Sequence, residues 1–319
     1  MHIPDGFLDA KTAAASAVLS AAGLGVAMRQ ARMTLPARRV PLMGLAAAFV
    51  FAAQMLNFPV VGGTSGHLVG ATLAAVLLGP GASVVVLTAV LLVQCFLFAD
   101  GGVTALGANI FNMAIIGSLC GYAVYGGARR LFAGLHGTVL AAAFAAWCST
   151  VVAAVNCAGQ LALSGTLPWS VAFPAMANVH MLIGVGEAII TALVIVAVAH
   201  ERPELVEANG APRVAGVGEG WGGFVLYGAL IAVGLALFVA PFACSWPDGL
   251  DKVAETFGFA HRAARESVVG APMPEYRVPG VGSASAATAL AGVIGTVVVF
   301  GLAFLLARAL VPKSSSEQD

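Results

Sequence analysis

Charge is what this chain has least of. Asp, Glu, Lys and Arg together supply 9% of its 319 residues and apolar residues 60%, against roughly 25% and 45–50% in soluble proteins. Too little polar surface is present to cover a soluble core, so the chain reads as an all-α polytopic membrane protein, helices being able to satisfy their own backbone in lipid. Other absences narrow the function. No G-x-x-x-x-G-K-[ST] phosphate loop occurs, so the chain carries no ATPase motif of its own. A nucleophile elbow, an H-E-x-x-H and a basic nucleic-acid patch are absent as well. Cys95, Cys120, Cys148, Cys157 and Cys244 include no C-x-x-C pair, and four of the five fall in apolar runs. They read as small buried hydrophobes rather than a disulfide framework or zinc site. No basic segment precedes the first apolar run; Asp5 and Asp9 stand where a signal peptide would carry Lys or Arg. The chain start is therefore expected to be retained and translocated.

What is present is a series of apolar segments: 7–28, 40–56, a half-length 68–78, 83–99, 104–125, 136–163 and 173–199, then 222–243 and 285–310. Most approach the roughly 20 residues needed to cross a bilayer. Basic residues cluster after the first (Arg29, Arg32, Arg38, Arg39), the fifth (Arg129, Arg130) and the seventh (His200, Arg202). One topology puts all three clusters in the cytoplasm by the positive-inside rule, which leaves Met1 outside and the C-terminal tail inside. A polar linker, 201–221, separates residues 1–200 from a second module, 222–319, whose two helices flank an outer loop at 244–284. Small residues at Ala13, Ala17, Ala21 and Gly25 predict a close helix approach on the first span.

The chemistry lies at the chain start. A bulky second residue keeps the initiator Met in place, because its removal needs a small neighbour. The α-amine of Met1, the backbone amide of His2 and the His2 imidazole then lie within reach of one ion. Chelation through a deprotonated amide needs a non-proline residue at position 2. Three nitrogens leave a square plane one ligand short, and His67, on the same side of the membrane, is the candidate for the fourth corner. It follows the Gly/Pro-rich loop 57–66 and precedes a half-length helix broken at Gly79-Pro80-Gly81, which puts it in a recess. Tetragonal nitrogen coordination selects Ni(II) or Cu(II) over zinc.

Polar groups within the apolar spans are costly and point to function. Asn109 and Asn112, three apart, are expected to share a helix face. His180 and Glu187 lie two turns apart on one stripe, and either a metal path or interhelical hydrogen bonding accounts for them. Asp5 and Asp100 could orient the imidazoles of His2 or His67, or lend negative charge to the entrance. Thr64 and Ser65, next to His67, complete the set of supporting candidates.

Met1-His-Ile-Pro-Asp-Gly6, Gly63-Thr-Ser-Gly-His67-Leu, Phe98-Ala-Asp-Gly-Gly-Val-Thr-Ala-Leu-Gly-Ala-Asn109-Ile-Phe-Asn-Met113 and Asn178-Val-His-Met-Leu-Ile-Gly-Val-Gly-Glu187-Ala resemble the CbiM/NikM family, the substrate-capture (S) components of energy-coupling-factor transporters for cobalt and nickel. The resemblance covers residues 1 to about 200. Residues 222–311, with Pro247-Asp-Gly-Leu250, resemble the CbiN/NikN-like module. The resemblance implies a seven-helix capture subunit with two further membrane helices in a bacterial or archaeal cell membrane. It implies a transmembrane coupling (T) protein and two cytoplasmic ABC ATPases as partners, no cofactor, and Ni2+ or Co2+ as transported ligand. It implies that Met1, His2 and His67 hold the metal; square-planar nitrogen ligation favours nickel. Gly44, Ala48 and Ala52 become the expected docking face for the coupling protein. The rival reading is a partner-independent secondary transporter or channel for divalent metal. It asks for a chain of charged groups through the membrane, where only His180 and Glu187 lie deep. A membrane enzyme or scaffold would need a reactive constellation that the sequence does not offer.

Overall fold

Aspartate starts the first helix three residues later than hydropathy alone suggests. In the computed structural model, which describes residues 1–206, 221–264 and 268–311, the Asp9 carboxylate accepts from the Thr12 amide and caps α1, Ala10–Thr34. Phe7 and Leu8 stay outside it. Pro36 follows the end, so Arg29 and Arg32 sit on the helix itself, while Arg38 and Arg39 close a short 3-10 turn, Ala37–Arg39. The buried face of α1 runs Ser16, Ser20, Ala27, Ala31, one step away from the expected stripe, of which Ala21 and Gly25 stay exposed. The offset has a polar cause: the Ser20 hydroxyl donates to the Gly107 carbonyl at 2.6 Å.

The remaining helices are α2 (Val40–Gln54), α3 (Ala71–Leu78), α4 (Pro80–Phe98), α5 (Leu106–Ala128), α6 (Gly134–Leu163), α7 (Trp169–Glu201), α8 (Trp221–Phe242), α9 (Gly249–Thr256) and α10 (Ala284–Leu310). Among the described residues, seven are long and apolar enough to cross a membrane, all but α2, α3 and α9. The chain is thus a multi-pass, all-α membrane protein. Most of the linker at 201–221 and the C-terminal tail lie outside the described residues.

Lipid gives helices no hydrophobic reason to associate, so small residues and polar pairs do the joining. On α6, Ala141, Ala142, Ala145, Ala146, Ala153, Ala154 and Cys157 are buried where α7 packs along it. The five cysteines are free thiols; Cys95 and Cys157 are the buried small hydrophobes that the sequence suggested, whereas Cys120, Cys148 and Cys244 are only half-buried. The loop expected to be irregular after α2 contains a small antiparallel hairpin, β1 (Phe58–Val60) paired with β2 (Thr64–Gly66). Gly62 and Gly63, at φ 91° and 71°, make its turn, a conformation that side chains with a Cβ resist.

The second module lies on the first. α10 packs along α2, and Ala48 and Ala52 of α2 form a buried cluster with Ala232 and Ala236 of α8. A Cβ on Gly44 would meet the Phe300 carbonyl of α10 at 3.1 Å. The face expected to dock the coupling protein is therefore covered by the chain's own last two membrane helices. Sequence could not show this, since a small-residue face does not name its occupant.

Candidate metal centre

The first seven residues turn back into one end of the bundle instead of trailing into solvent. Ile3 and Phe7 are almost fully buried. Asn109 of α5 treats Ile3 as a strand would: its Oδ1 accepts from the Ile3 amide at 2.8 Å and its Nδ2 donates to the Ile3 carbonyl at 3.1 Å. Gly102 N–H donates to that same carbonyl. The Asp5 carboxylate accepts from the backbone and hydroxyl of Thr104 at 2.7 and 2.6 Å. Asp5 thus anchors the segment, and of the roles left open for it, orienting an imidazole is not one that its contacts describe. The cause is reach: its position faces the loop before α5.

This anchoring brings Met1, His2 and His67 together. The Met1 nitrogen lies 3.1 Å from His67 Nε2, and the two imidazoles stack with centroids 5.3 Å apart. A chelate running amine, amide, Nδ1 puts its open corner next to the amine. Metal–nitrogen bonds of about 2 Å set neighbouring corners of a square roughly 2.8 Å apart, so His67 Nε2 stands close to the required place. Among the described residues, no group of three or more His, Cys, Asp or Glu side chains gathers as a metal cage. The nitrogen set here escapes such a pattern because two of its members belong to the backbone.

The second module closes the centre, a contribution that sequence reading left undetermined. Asp248 Oδ2 accepts from the Met1 amine at 2.6 Å, while its Oδ1 caps α9 through the Asp251 amide. Thr64 and Ser65 turn out to hold this loop: Ser65 Oγ donates to the Trp246 carbonyl at 2.7 Å, and Ser65 N–H and Thr64 Oγ1 to the Pro247 carbonyl. Gly249 sits against His180, whose ring a Cβ there would meet at 2.8 Å, and Leu250 is fully buried. Each residue of Pro247-Asp-Gly-Leu250 thus has its own task at this site. The signal that could have revealed Asp248 is a lone carboxylate in a short motif, and nothing in spacing ties it to residue 1.

Charge follows from this geometry. Burial alone would lower the pKa of the Met1 amine, but Asp248, with Asp100 and Asp251 behind it, carries it above its ordinary value. Burial raises the Asp248 carboxyl, yet the amine and its hydrogen bond bring it well below the usual range. Burial and the nearby amine push His67 down to about 3, and His2 is lowered by burial too. Both imidazoles are therefore neutral, as metal ligands must be.

Supporting groups divide by partner. Asp100 Oδ1 lies 3.3 Å from His2 Nδ1, and its Oδ2 accepts from the Tyr276 hydroxyl of the outer loop. Glu187 reaches the segment after His67, accepting from the amides of Val69 and Gly70 at 2.5 and 2.9 Å. His180 donates through Nδ1 to the Met176 carbonyl, leaving a buried Nε2 below Gly249 that finds no partner among the described residues. Asn112 does not share the role of Asn109. It pairs with Gln160 and Asn156 of α6, because a π-helical stretch, Ile110–Ile116, intervenes and turns the face. Sequence reading missed Gln54 and Gln94: His2 Nε2 lies 3.1 Å from Gln94 Oε1, and Gln94 in turn donates to Gln54. A cavity of about 890 Å3 lined by Leu42, Leu77, Val194 and Tyr227 takes no part in this cluster.

Comparison with known proteins points the same way. Residues 2–205 match the family model for the CbiM cobalt uptake substrate-specific transmembrane region, and residues 222–311 the PDGLE domain. An Archaeoglobus fulgidus protein provisionally named fused nickel transport protein NikMN is 37% identical over 310 residues, covering 97% of this chain and 98% of its own. The fused nickel transport protein NikMN of Rhodobacter capsulatus is 38% identical over 66% of this chain and 65% of its own length. Cobalt transport protein CbiM of Geobacter sulfurreducens is 32% identical over 84% of this chain and 81% of its own. A crystal structure of a truncated transition metal transporter superposes with a TM-score of 0.58 at 36% identity, over 63% of this chain and 99% of that one.

Proposed function

Because the chain belongs to the CbiM family of cobalt-uptake transmembrane proteins, with a PDGLE domain fused behind it, we infer that it is the metal-capture subunit of an energy-coupling-factor importer for nickel or cobalt. Residues 1–200 form the capture domain, 201–221 a cytoplasmic linker, and 222–319 the module that covers the site. The observation that carries this reading is the Met1 amine held 3.1 Å from His67 Nε2 beside the His2 ring. Four nitrogens are then available: the amine, the His2 amide, His2 Nδ1 and His67 Nε2. Such a set favours Ni(II). The fused nickel transport proteins among its relatives support the same choice.

In this reading the ion enters from outside and displaces the protons of the amine and the His2 amide. Affinity then falls as pH falls, because protons compete for the same lone pairs. Asp100 and Asp248 keep negative charge beside the incoming cation. A coupling protein and two ATPases supply the energy for inward release. Uptake by cells carrying His2→Ala, His67→Ala, or one extra residue ahead of Met1 tests the site: each is expected to abolish transport, and normal uptake in all three overturns it. Uptake persisting without partner proteins would favour the channel reading instead.

A further inference from the structure

The two imidazoles of the centre must offer opposite ring nitrogens, and the structure contains a device that decides which. For His67 the decision is local: Nδ1–H donates to the Leu68 carbonyl at 3.0 Å, so the lone pair lies on Nε2, the atom facing Met1. For His2 the decision comes from further away. It starts at the Val69 carbonyl, which can only accept. Gln54 Nε2 donates to it at 2.8 Å, which fixes that amide's orientation. Gln54 Oε1 then faces Gln94 and accepts from Gln94 Nε2 at 2.8 Å. Gln94 Oε1 is left facing His2 Nε2 at 3.1 Å. An oxygen there requires the His2 proton on Nε2. In the neutral ring the lone pair then falls on Nδ1, the nitrogen that can close a chelate with the amide of its own residue; Asp100 Oδ1, 3.3 Å from Nδ1, pulls toward the opposite form, and the relay has to prevail over it.

We propose that Gln54 and Gln94 are positioning residues of the metal centre, a buried amide relay that sets the tautomer of His2 by reading the direction of the Val69 carbonyl. The proposal rests on the metal-capture reading for its purpose but not for its geometry. Val69 is a suitable reference because the Val69–Gly70 peptide is held from both sides, its carbonyl by Gln54 of α2 and its N–H, that of Gly70, by Glu187 of α7. Both glutamines are buried and both amides are fully engaged, so neither can flip without setting two oxygens or two N–H groups face to face. The relay also binds the His2 arm of the centre to the segment that follows His67, from α2 and α4 together.

The experiment is nitrogen NMR of the full chain in nanodiscs with no metal added, labelled at histidine and assigned by replacing His136, His180, His200 and His261 in turn. The wild type should show His2 protonated at Nε2 and His67 at Nδ1. Gln94→Met and Gln54→Met should each divide the His2 proton between both ring nitrogens while His67 keeps its form. Gln54 does not touch His2, so an effect at that distance distinguishes a relay from simple packing. His2 protonated at Nδ1 in the wild type, an unchanged His2 in both variants, or both imidazoles shifting together would overturn the proposal. Nickel binding measured on the same samples separates the two readings. Loss of the metal-capture reading would show as no binding in the wild type with the tautomers intact. If both hold, the variants should bind nickel about 10- to 100-fold more weakly, the range usual for groups that orient a ligand.

Discussion

Asp248 holds the Met1 amine in its charged form against the cost of burying it. Removing the carboxylate should drop the amine's pKa and uncap it together. Asp248→Ala is thus expected to speed acylation of Met1 at neutral pH by at least about tenfold, one pKa unit being a tenfold change in free amine. Mass spectrometry of the N-terminal peptide measures it. The imidazole beside it responds to acid. His67 takes up its proton only near pH 3 when docked, against an ordinary value of 6.5. The released form therefore binds protons preferentially between those values, and docking weakens as pH falls through that window. The amine acts in the opposite sense: its raised pKa contributes fully below 8.0 and is lost as pH rises past the raised value. Hydrogen-exchange protection of residues 1–7 without metal should consequently be greatest between pH 6.5 and 8.0. Met1, His2 and His67 were legible in sequence because amine, amide and imidazole are ligands by type. Asp248, Gln54 and Gln94 were not, because single carboxylates and amides carry no spacing signal over such separations. The contact of Asp5 with Thr104 was unreadable for the same reason, Thr104 being ordinary in type.

Among the elements, the segment from His67 to Gly70 depends most on a distant helix. Glu187 of α7 accepts both of its last two amides. Glu187→Ala would leave two buried N–H groups unpaired, at about 1–3 kcal/mol each, and should lower thermal stability in detergent accordingly. Glu187→Gln keeps one acceptor and should lose about half as much. The bundle-fixing role that the sequence left open for this residue is the one its contacts describe. The long apolar helices were readable, since continuous apolar runs, Gly79-Pro80 and the basic clusters mark them directly, whereas α9, inside the loop 244–284, was not. The π-helical stretch in α5 was not, because no residue type specifies it, and so the separate partners of Asn109 and Asn112 stayed hidden.

At the scale of the molecule, the second module is clamped to the first at two levels: small faces between the long apolar helices and the Pro247–Leu250 loop at the candidate centre. Ala48→Leu would overfill the contact with Ala232 and Ala236, at about 1–3 kcal/mol. Separately expressed segments 1–205 and 222–319 should copurify in the wild type and lose that association in the variant. Hydropathy could place both modules but not their contact, because Gly44, Ala48 and Ala52 would suit any helix. With that face taken, any partner helix has to approach elsewhere. The seclusion of the centre has one more consequence. Met1, His2 and His67 each expose less than a tenth of their surface, so an arriving ion must part with its hydration shell before it can sit among them. Every water lost has to be replaced by a nitrogen donor, an exchange that magnesium, a hard cation that prefers oxygen, makes poorly. The closed chamber therefore leaves magnesium no partly hydrated foothold, and a large excess of it should leave metal uptake unchanged.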